Sequence, residues 1–555
     1  MQKKFFRLSS SLLALVLAMT LVLVACSTPA NGVTSLALTD MTFELADASD
    51  IQVHSFHLGN GELTNSAGNP VPAPLAGIIA VPDHTGPHPL VVIIHGVRAV
   101  ESIHDSVYEG FDYLVQQLAA EGFAAMSINV NVEYTFDFGE SSNHEWVLSI
   151  FEQHLALLER ATAGEDVGHG IDLTAMIDVE QVHLIGHSRG GEIIDSIAQQ
   201  DEQGRIRSMI SVAGGIGPFF FEFDEDDEDG ELSIIGTSPP NIPTAFILSE
   251  FEGDFQIPFS QVVFDEILAQ AQSHAMSNLV YLRGANHNHF NRTVERDDRT
   301  LDTMIGNVAQ TVPETWITRE EQEDFLTHYV AAFLAVVTEV RAPFGTFDPL
   351  TPQPTTMFGY SVTASTYLPG LELIVPPGNG TATGAATAEG YTQYGFGFRS
   401  LFNHPAVNNR QHPELELTAL TWDGSDGEVA FNPQTNDFSA HGALSLYVAV
   451  DTSNGLNPDG ADQAFSVILT DEAGVEQGVV VPAGSSALTF HPGFVSEFEL
   501  FDEMATEWQG FMPLGELRIP LSYFGELDLQ VIDSITIAFD QTPSGAVMLS
   551  GIYLV

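Results

Sequence analysis

A single cysteine, Cys26, stands in 555 residues, so no disulfide can form within the chain and its folds must rest on packed cores. Lysine is confined to Lys3 and Lys4; Lys+Arg total 17 against 74 Asp+Glu, a formal net charge of −57. So acidic a surface repels phosphate, which argues against nucleic acid and anionic membrane surfaces as partners. It suits a salty exterior, where screening limits self-repulsion. Beyond the first 26 residues there is no second long apolar span, and no internal repeat is present. What the chain does have is core material. At 44% hydrophobic, and several times the length of a typical domain of about 100–150 residues, it is expected to fold as more than one domain.

Residues 1–26 read as an export signal. Lys3, Lys4 and Arg7 form a basic start, and Leu12 to Ala25 is a 14-residue apolar run, short of the roughly 20 residues that span a bilayer. Leu23-Val24-Ala25-Cys26 resembles the bacterial lipobox. That resemblance implies lipidation at Cys26 and a protein anchored to the cell membrane or cell surface. Residues 27–45, small and polar, read as a tether.

From residue 46 to 342 strands and helices alternate. Ala76–Pro82, Pro89–Gly96, Phe123–Val130, Val182–His187, Ser208–Ala213, Thr244–Ser249 and Leu279–Leu282 read as strands. Helices are expected over 111–121, 143–161, 260–274 and 319–340. Continuous apolar runs such as Leu90-Val91-Val92-Ile93-Ile94 suit strands buried on both faces. The alternation predicts an α/β domain, a doubly wound and mostly parallel sheet with helices on both faces and function at the carboxyl ends of its strands.

Gly186-His187-Ser188-Arg189-Gly190 lies between a strand and a helix. A strand that runs straight into a helix must turn sharply, and Gly186 and Gly190 let that turn close. Ser188 at its tip is a candidate nucleophile, above a helix N-terminus that favours a developing negative charge. The N–H of Arg189 and that of Val97, after His95-Gly96, are the candidate oxyanion donors; the His95 imidazole reads as a packing or loop-fixing group. The base is expected after the strand at 279–282, where His287 is preferred to His289. A third reading, that both bind metal, is the weaker one, because the pair is i, i+2 with no nearby cluster of further ligands. The acid is expected among Glu250, Glu252 and Asp254. The run Asp254-Phe255-Gln256-Ile257-Pro258 favours Asp254, and counting from Pro243 favours Glu252 as the alternative. The order Ser188, acid, His287 is that of α/β-hydrolases.

With His95-Gly96 and Gly284-Ala285-Asn286-His287, this motif resembles bacterial esterase-type α/β-hydrolases and is more loosely similar to polyester hydrolases and acetylhydrolases. The resemblance covers roughly residues 70–340. It implies a serine esterase that cleaves a small-molecule or polymeric ester through an acyl-enzyme, with no cofactor and no metal. Arg189 departs from the Met or Phe often found after the serine. Two other readings share these residues: an amidase or peptidase with the same triad, and a non-catalytic surface lipoprotein that binds glycan. Phe219-Phe220-Phe221, Phe251, Phe255, Phe259 and Phe290 are candidates for an apolar pocket or for packing. The acidic run 224–230 lacks the ligand spacing of an EF-hand and reads as a solvated loop.

Pro343, Pro349, Pro352 and Pro354 mark a linker over 343–370, and residues 371–390, rich in Gly, Thr and Ala, read as a loop. The rest of 371–555 is short alternating strands and turns, such as Ser534–Phe539, and predicts an antiparallel β-sandwich. Ile532–Ile537 and Ser550–Leu554 are similar to galactose-binding-like jelly rolls. That resemblance implies a glycan partner, with Trp422 or Trp508 to stack on a sugar or to fill the core.

Overall fold

The computed structural model describes residues 33–65, 67–96, 102–136, 144–214, 220–223, 232–235, 239–251, 259–270, 274–295, 316–393, 415–452, 454–491, 494–500, 503–509 and 514–555. Its strands begin with β1 (Val33–Ser35), β2 (Thr39–Met41), β3 (His54–Asn60), β4 (Pro74–Ala80), β5 (His88–Ile94) and β6 (Ala124–Ile128). They continue with β7 (Ile177–His187), β8 (Ile206–Val212), β9 (Thr244–Phe251), β10 (Ser277–Asn286), β11 (Pro354–Met357) and β12 (Tyr360–Tyr367). The helices that matter for the site are α1 (Asp112–Ala120), α2 (Asn131–Phe136), α3 (Glu145–Thr162), α4 (Arg189–Gln199), α5 (Phe259–Gln270) and α6 (Arg319–Val337).

Eleven strands form one sheet in the order β2-β11-β12-β10-β9-β8-β7-β5-β6-β4-β3. Its centre, from β6 to β10, is parallel, and β4 and β12 flank it antiparallel. Alternate residues of the apolar strands bury on opposite faces, as the two-residue period demands. Val91, Ile93, Ile185, Ile210, Ile247 and Val280 pack on one face with Leu114 and Leu118 of α1 and Phe325, Tyr329 and Phe333 of α6. Leu90, Val92, Leu184, Met209, Phe246 and Leu279 pack on the other with α3, α4 and α5. The result is a three-layer α/β arrangement. Chain order sets a crevice in it: β5 leads to β6 on one side, whereas β7, on the other side of β5, leads away to β8. Connections diverge between β5 and β7, and ligand crevices open at such a divergence.

Three expectations fail here. Residues 343–370 are no linker. β11 and β12 extend the central sheet, and β12 runs antiparallel to β10 from Ser277↔Tyr367 to Leu282↔Val362. Pro343, Pro349 and Pro352 precede those strands and Pro354 opens β11, so they mark no free segment. The tether over 27–45 is also partly strand: β2 pairs with β11, and β1 pairs with Glu476–Val481 near the other end of the chain. The segment 371–390 is not a loop but carries strands Glu372–Val375, Thr381–Thr383 and the start of Ala386–Gln393.

Most of the remaining described strands form two larger sheets, beside three two-stranded pairs. One runs β1, Glu476–Val481, Phe465–Asp471, Ile532–Ala538, Glu428–Phe431, Thr381–Thr383; the other runs Ala386–Gln393, Leu415–Asp423, Ser544–Leu554, Ala443–Val450, Gly515–Pro520, with Glu372–Val375 on Ser544–Leu554. Val429, Val467 and Ile537 of the first share a core with Leu420, Val448 and Leu549 of the second. Trp422 belongs to that core: it is 1% exposed, stacks on Phe539 at 4.2 Å and donates its Nε1–H to the carbonyl of Thr542. It therefore has no face to offer a sugar, which corrects one of its two sequence readings. The side chain of Trp508 lies outside the described ones.

These sheets grip β12 through polar contacts. Glu516 and Arg518, both fully buried, pair with each other. The Glu516 carboxylate also accepts from Ser445, Gln353 and the Thr366 backbone, and Arg518 donates to the carbonyls of Thr346 and Asp348. Ser365 and Thr363 of β12 donate to the carbonyls of Leu514 and Ser486. A buried ion pair is tolerable only when its remaining hydrogen-bonding capacity is filled, as it is here.

Candidate active site

Ser188 sits between β7 and α4 with φ +58° and ψ −130°. A side-chain-bearing residue in that backbone region is strained by about 1–3 kcal/mol and persists where its surroundings fix it. The surroundings do so. The Ser188 N–H donates to the Val212 carbonyl at 2.9 Å, and the Ser188 carbonyl accepts from Gly191 at 2.9 Å. A Cβ on Gly186 would lie 2.2 Å from the carbonyl oxygen of Gly190, and one on Gly96 would lie 2.4 Å from Cβ of Ser188. The turn and the end of β5 thus close on each other at glycines. Ser188 is 3% exposed, more enclosed than a hydroxyl at the tip of an open turn.

Arg189 is the first residue of α4, so its N–H has no acceptor within the helix. Its guanidinium approaches Glu192 at 3.8 Å. Glu192 in turn lies 4.0 Å from Nε2 of His144, whose Nδ1 is 3.0 Å from Glu133. Burial pushes the Glu192 carboxyl above its ordinary pKa, against the pull of Arg189 and His144. Beside this cluster the hydroxyl of Tyr134 donates to the carbonyl of His95.

His95 fixes the chain after β5, as expected for its imidazole. Its Nδ1–H donates to the carbonyl of Gly96 and its Nε2 accepts from the N–H of Val130, which sets the tautomer. Burial takes its pKa down to about 4, so the ring is neutral. Val97, two residues further on, lies outside the described residues.

His287 follows β10 directly and is 2% exposed. Its neighbours hold its backbone. The Asn286 N–H donates to Oε1 of Gln322, and the Asn286 carbonyl accepts from Nε2 of Gln322 and Oγ of Ser249. The His289 N–H donates to Oδ1 of Asn286. The His287 carbonyl accepts from Nε2 of His187 at 2.9 Å, and the two rings lie 5.1 Å apart. The serine turn and the histidine loop therefore meet through the residue before Ser188. Sequence reasoning missed His187; its place at the motif's second position was the available signal.

Of the acid candidates, Glu250 is described, and it is a latch: its carboxylate accepts from Nε of Arg283 at 3.1 Å and from the Gly284 N–H at 2.7 Å. Glu252 and Asp254 lie outside the described residues, as do Cys26, the acidic run 224–230, Phe219 and Phe255. The side chains of Phe220, Phe221 and Phe259 are likewise outside them. Phe290 is fully buried in the core under α1 and α6, so it packs rather than lines a pocket. Phe251 is half-buried, edge-on to Trp316 at 6.0 Å. Among the described residues no group of three or more His, Cys, Asp or Glu could hold a metal ion, and no helix is long and apolar enough to cross a membrane.

No protein-family model and no curated protein matches the sequence. Among solved structures the chain is similar to the crystal structure of a protein assigned as a dienelactone hydrolase from Klebsiella pneumoniae subsp. pneumoniae MGH 78578. The identity is 16% and the TM-score 0.28, over 43% of this chain and 89% of that one. A likeness that weak carries no argument about activity.

Proposed function

We propose that the protein is a serine hydrolase of the α/β-hydrolase fold that cleaves carboxylic esters through an acyl-enzyme. The observation that carries this reading is the strained Ser188, held at φ +58° at the β5/β7 divergence and joined by His187 to the loop of His287. In the proposed reaction Ser188 attacks the ester carbonyl while His287 takes its proton, then returns it to the departing alcohol. The N–H groups of Arg189 and Val97 receive the oxyanion, each worth on the order of 3 kcal/mol of barrier. Asp254, or Glu252 in its place, fixes the His287 tautomer and stabilises the imidazolium. Water then repeats the sequence on the acyl-enzyme. The reading includes export, with a lipid anchor at Cys26. It takes the C-terminal sheets as a β-sandwich of the galactose-binding-like kind, in which Trp508 is the remaining sugar-stacking candidate.

The test is labelling with a fluorophosphonate probe, with turnover of p-nitrophenyl esters of graded chain length and of matched amides. Wild-type protein is expected to label at Ser188 and to prefer esters. Ser188→Ala is expected to abolish both labelling and turnover with the fold intact. Wild-type protein that neither labels nor turns over any ester refutes the reading, and amide turnover at or above ester turnover replaces it with an amidase.

A further inference from the structure

We propose that His187 is a positioning residue for this reaction: its Nε2–H holds the main chain of His287 and so sets the base against the neighbouring nucleophile. The inference rests on the serine-hydrolase reading and adds to it a residue outside the expected triad and oxyanion donors.

The geometry is local on both sides. His187 is bonded through its own carbonyl carbon to Ser188, whose N–H is pinned to Val212 and whose φ is fixed at +58°. His187 therefore moves with the nucleophile. At the end of β10, the backbone of Asn286 is clamped by Gln322 and Ser249. The next carbonyl, that of His287 itself, is met by His187 at 2.9 Å. A carbonyl can only accept, so the proton of the His187 ring sits on Nε2. Phe111 and Phe290 stand edge-on to the ring at 5.9 and 6.2 Å and fix its plane.

The residue type suits the task. Burial, helped by nearby His287 and His95 and opposed by the hydrogen bond to the His287 carbonyl, takes the His187 pKa down to about 3. The ring is thus an uncharged donor wherever His287 works as a base. A lysine or arginine could reach the same carbonyl, but its charge would oppose the imidazolium that His287 must become. An apolar side chain would leave a buried carbonyl without its donor and free the base to shift.

The test compares His187→Leu, which removes the donor at similar volume, with His187→Gln, whose uncharged amide N–H reaches about as far. The leucine variant is expected to lose kcat by about a hundredfold, the effect of misplacing a reacting group by about 1 Å, with KM nearly unchanged. The glutamine variant is expected to recover most of that loss. A leucine variant with wild-type kcat and melting temperature overturns the proposal. So does an equal loss in both variants, because that result marks packing rather than donation. Nitrogen-15 spectra of the histidine rings in wild-type protein give an independent reading should the leucine variant fail to fold. His187 is expected to stay neutral with Nε2 protonated from about pH 5 to 9, and a charged ring or the opposite tautomer overturns the assignment. Absence of fluorophosphonate labelling in wild-type protein would instead mark failure of the serine-hydrolase reading itself.

Discussion

Gly190→Ala tests how tightly the crevice is built. Gly190 lies in the first turn of α4 where that helix passes the end of β5. A Cβ there would sit 2.3 Å from the carbonyl oxygen of Ile94 and 3.2 Å from that of His95. Close carbon–oxygen contacts settle at about 3.3 Å, so helix and strand must part by about 1 Å. Both atoms met are backbone, and no rotamer change relieves the overlap. Overpacking of this kind costs about 1–3 kcal/mol, which for a domain of this size is a fall of about 2–12 °C in Tm. The same displacement separates Ser188 from the β5 side of the site, where one oxyanion donor is proposed, and is expected to lower kcat about a hundredfold. Gly455→Ala, where a Cβ meets nothing within 4 Å, serves as the matched control. Thermal unfolding and p-nitrophenyl ester turnover of both variants give the answer. A Gly190→Ala protein with the control's Tm and rate would refute the close approach and the argument built on it.

Three further outcomes are expected. Ser188→Gly should raise stability by about 1 kcal/mol while ending turnover, because glycine accepts the positive φ without strain; a lower Tm than wild type refutes the strain. Removing one partner of the buried pair, by Glu516→Gln or Arg518→Met, should cost about 3–5 kcal/mol in denaturant unfolding, and removing both should cost less than the sum of the two. Additive costs would show that the pair acts as two separate side chains. Asp195 is fully buried with one oxygen unpartnered, and burial pushes its pKa up from 3.8 to about 7. The folded state then holds a proton that the unfolded chain has released, so stability should fall as pH rises from about 4 to 7. Asp195→Asn should flatten that slope in Tm against pH, and an unchanged slope would place its origin elsewhere.

The parallel core of the sheet was legible because its strands are buried on both faces and read as unbroken apolar runs. The turn at Ser188 was legible because a strand–glycine–serine–glycine–helix sequence has few ways to turn. β12 was not legible, for the opposite reason. Thr363, Ser365 and Thr366 are buried yet polar, and each is satisfied by a partner distant in sequence, among them Leu514, Glu516 and Ser486. Its apolar alternation is short, only Tyr360, Val362 and Ala364, and the prolines just before it at 349, 352 and 354 point the other way. The role of His187 was hidden similarly, since its partner lies a hundred residues on and is a backbone carbonyl that any residue carries. Trp422 reads alike in a sugar site and in a core, and only the stacking of Phe539 decides it.

The crossing of β1 and β2 has a consequence for the order of assembly. Val33 pairs with Gly478, and Thr39 with Pro354, so the earliest strands wait for partners made hundreds of residues later. Contacts this distant in sequence are slow to close and leave strand edges bare in the interval. Thr366, on the strand beside β10, likewise meets its carboxylate acceptor only when Glu516 has emerged. A nascent chain can form the parallel strands early, but the edge that braces the His287 strand is sealed only after residue 516 has emerged. A truncated product would therefore carry Ser188 on an unfinished sheet.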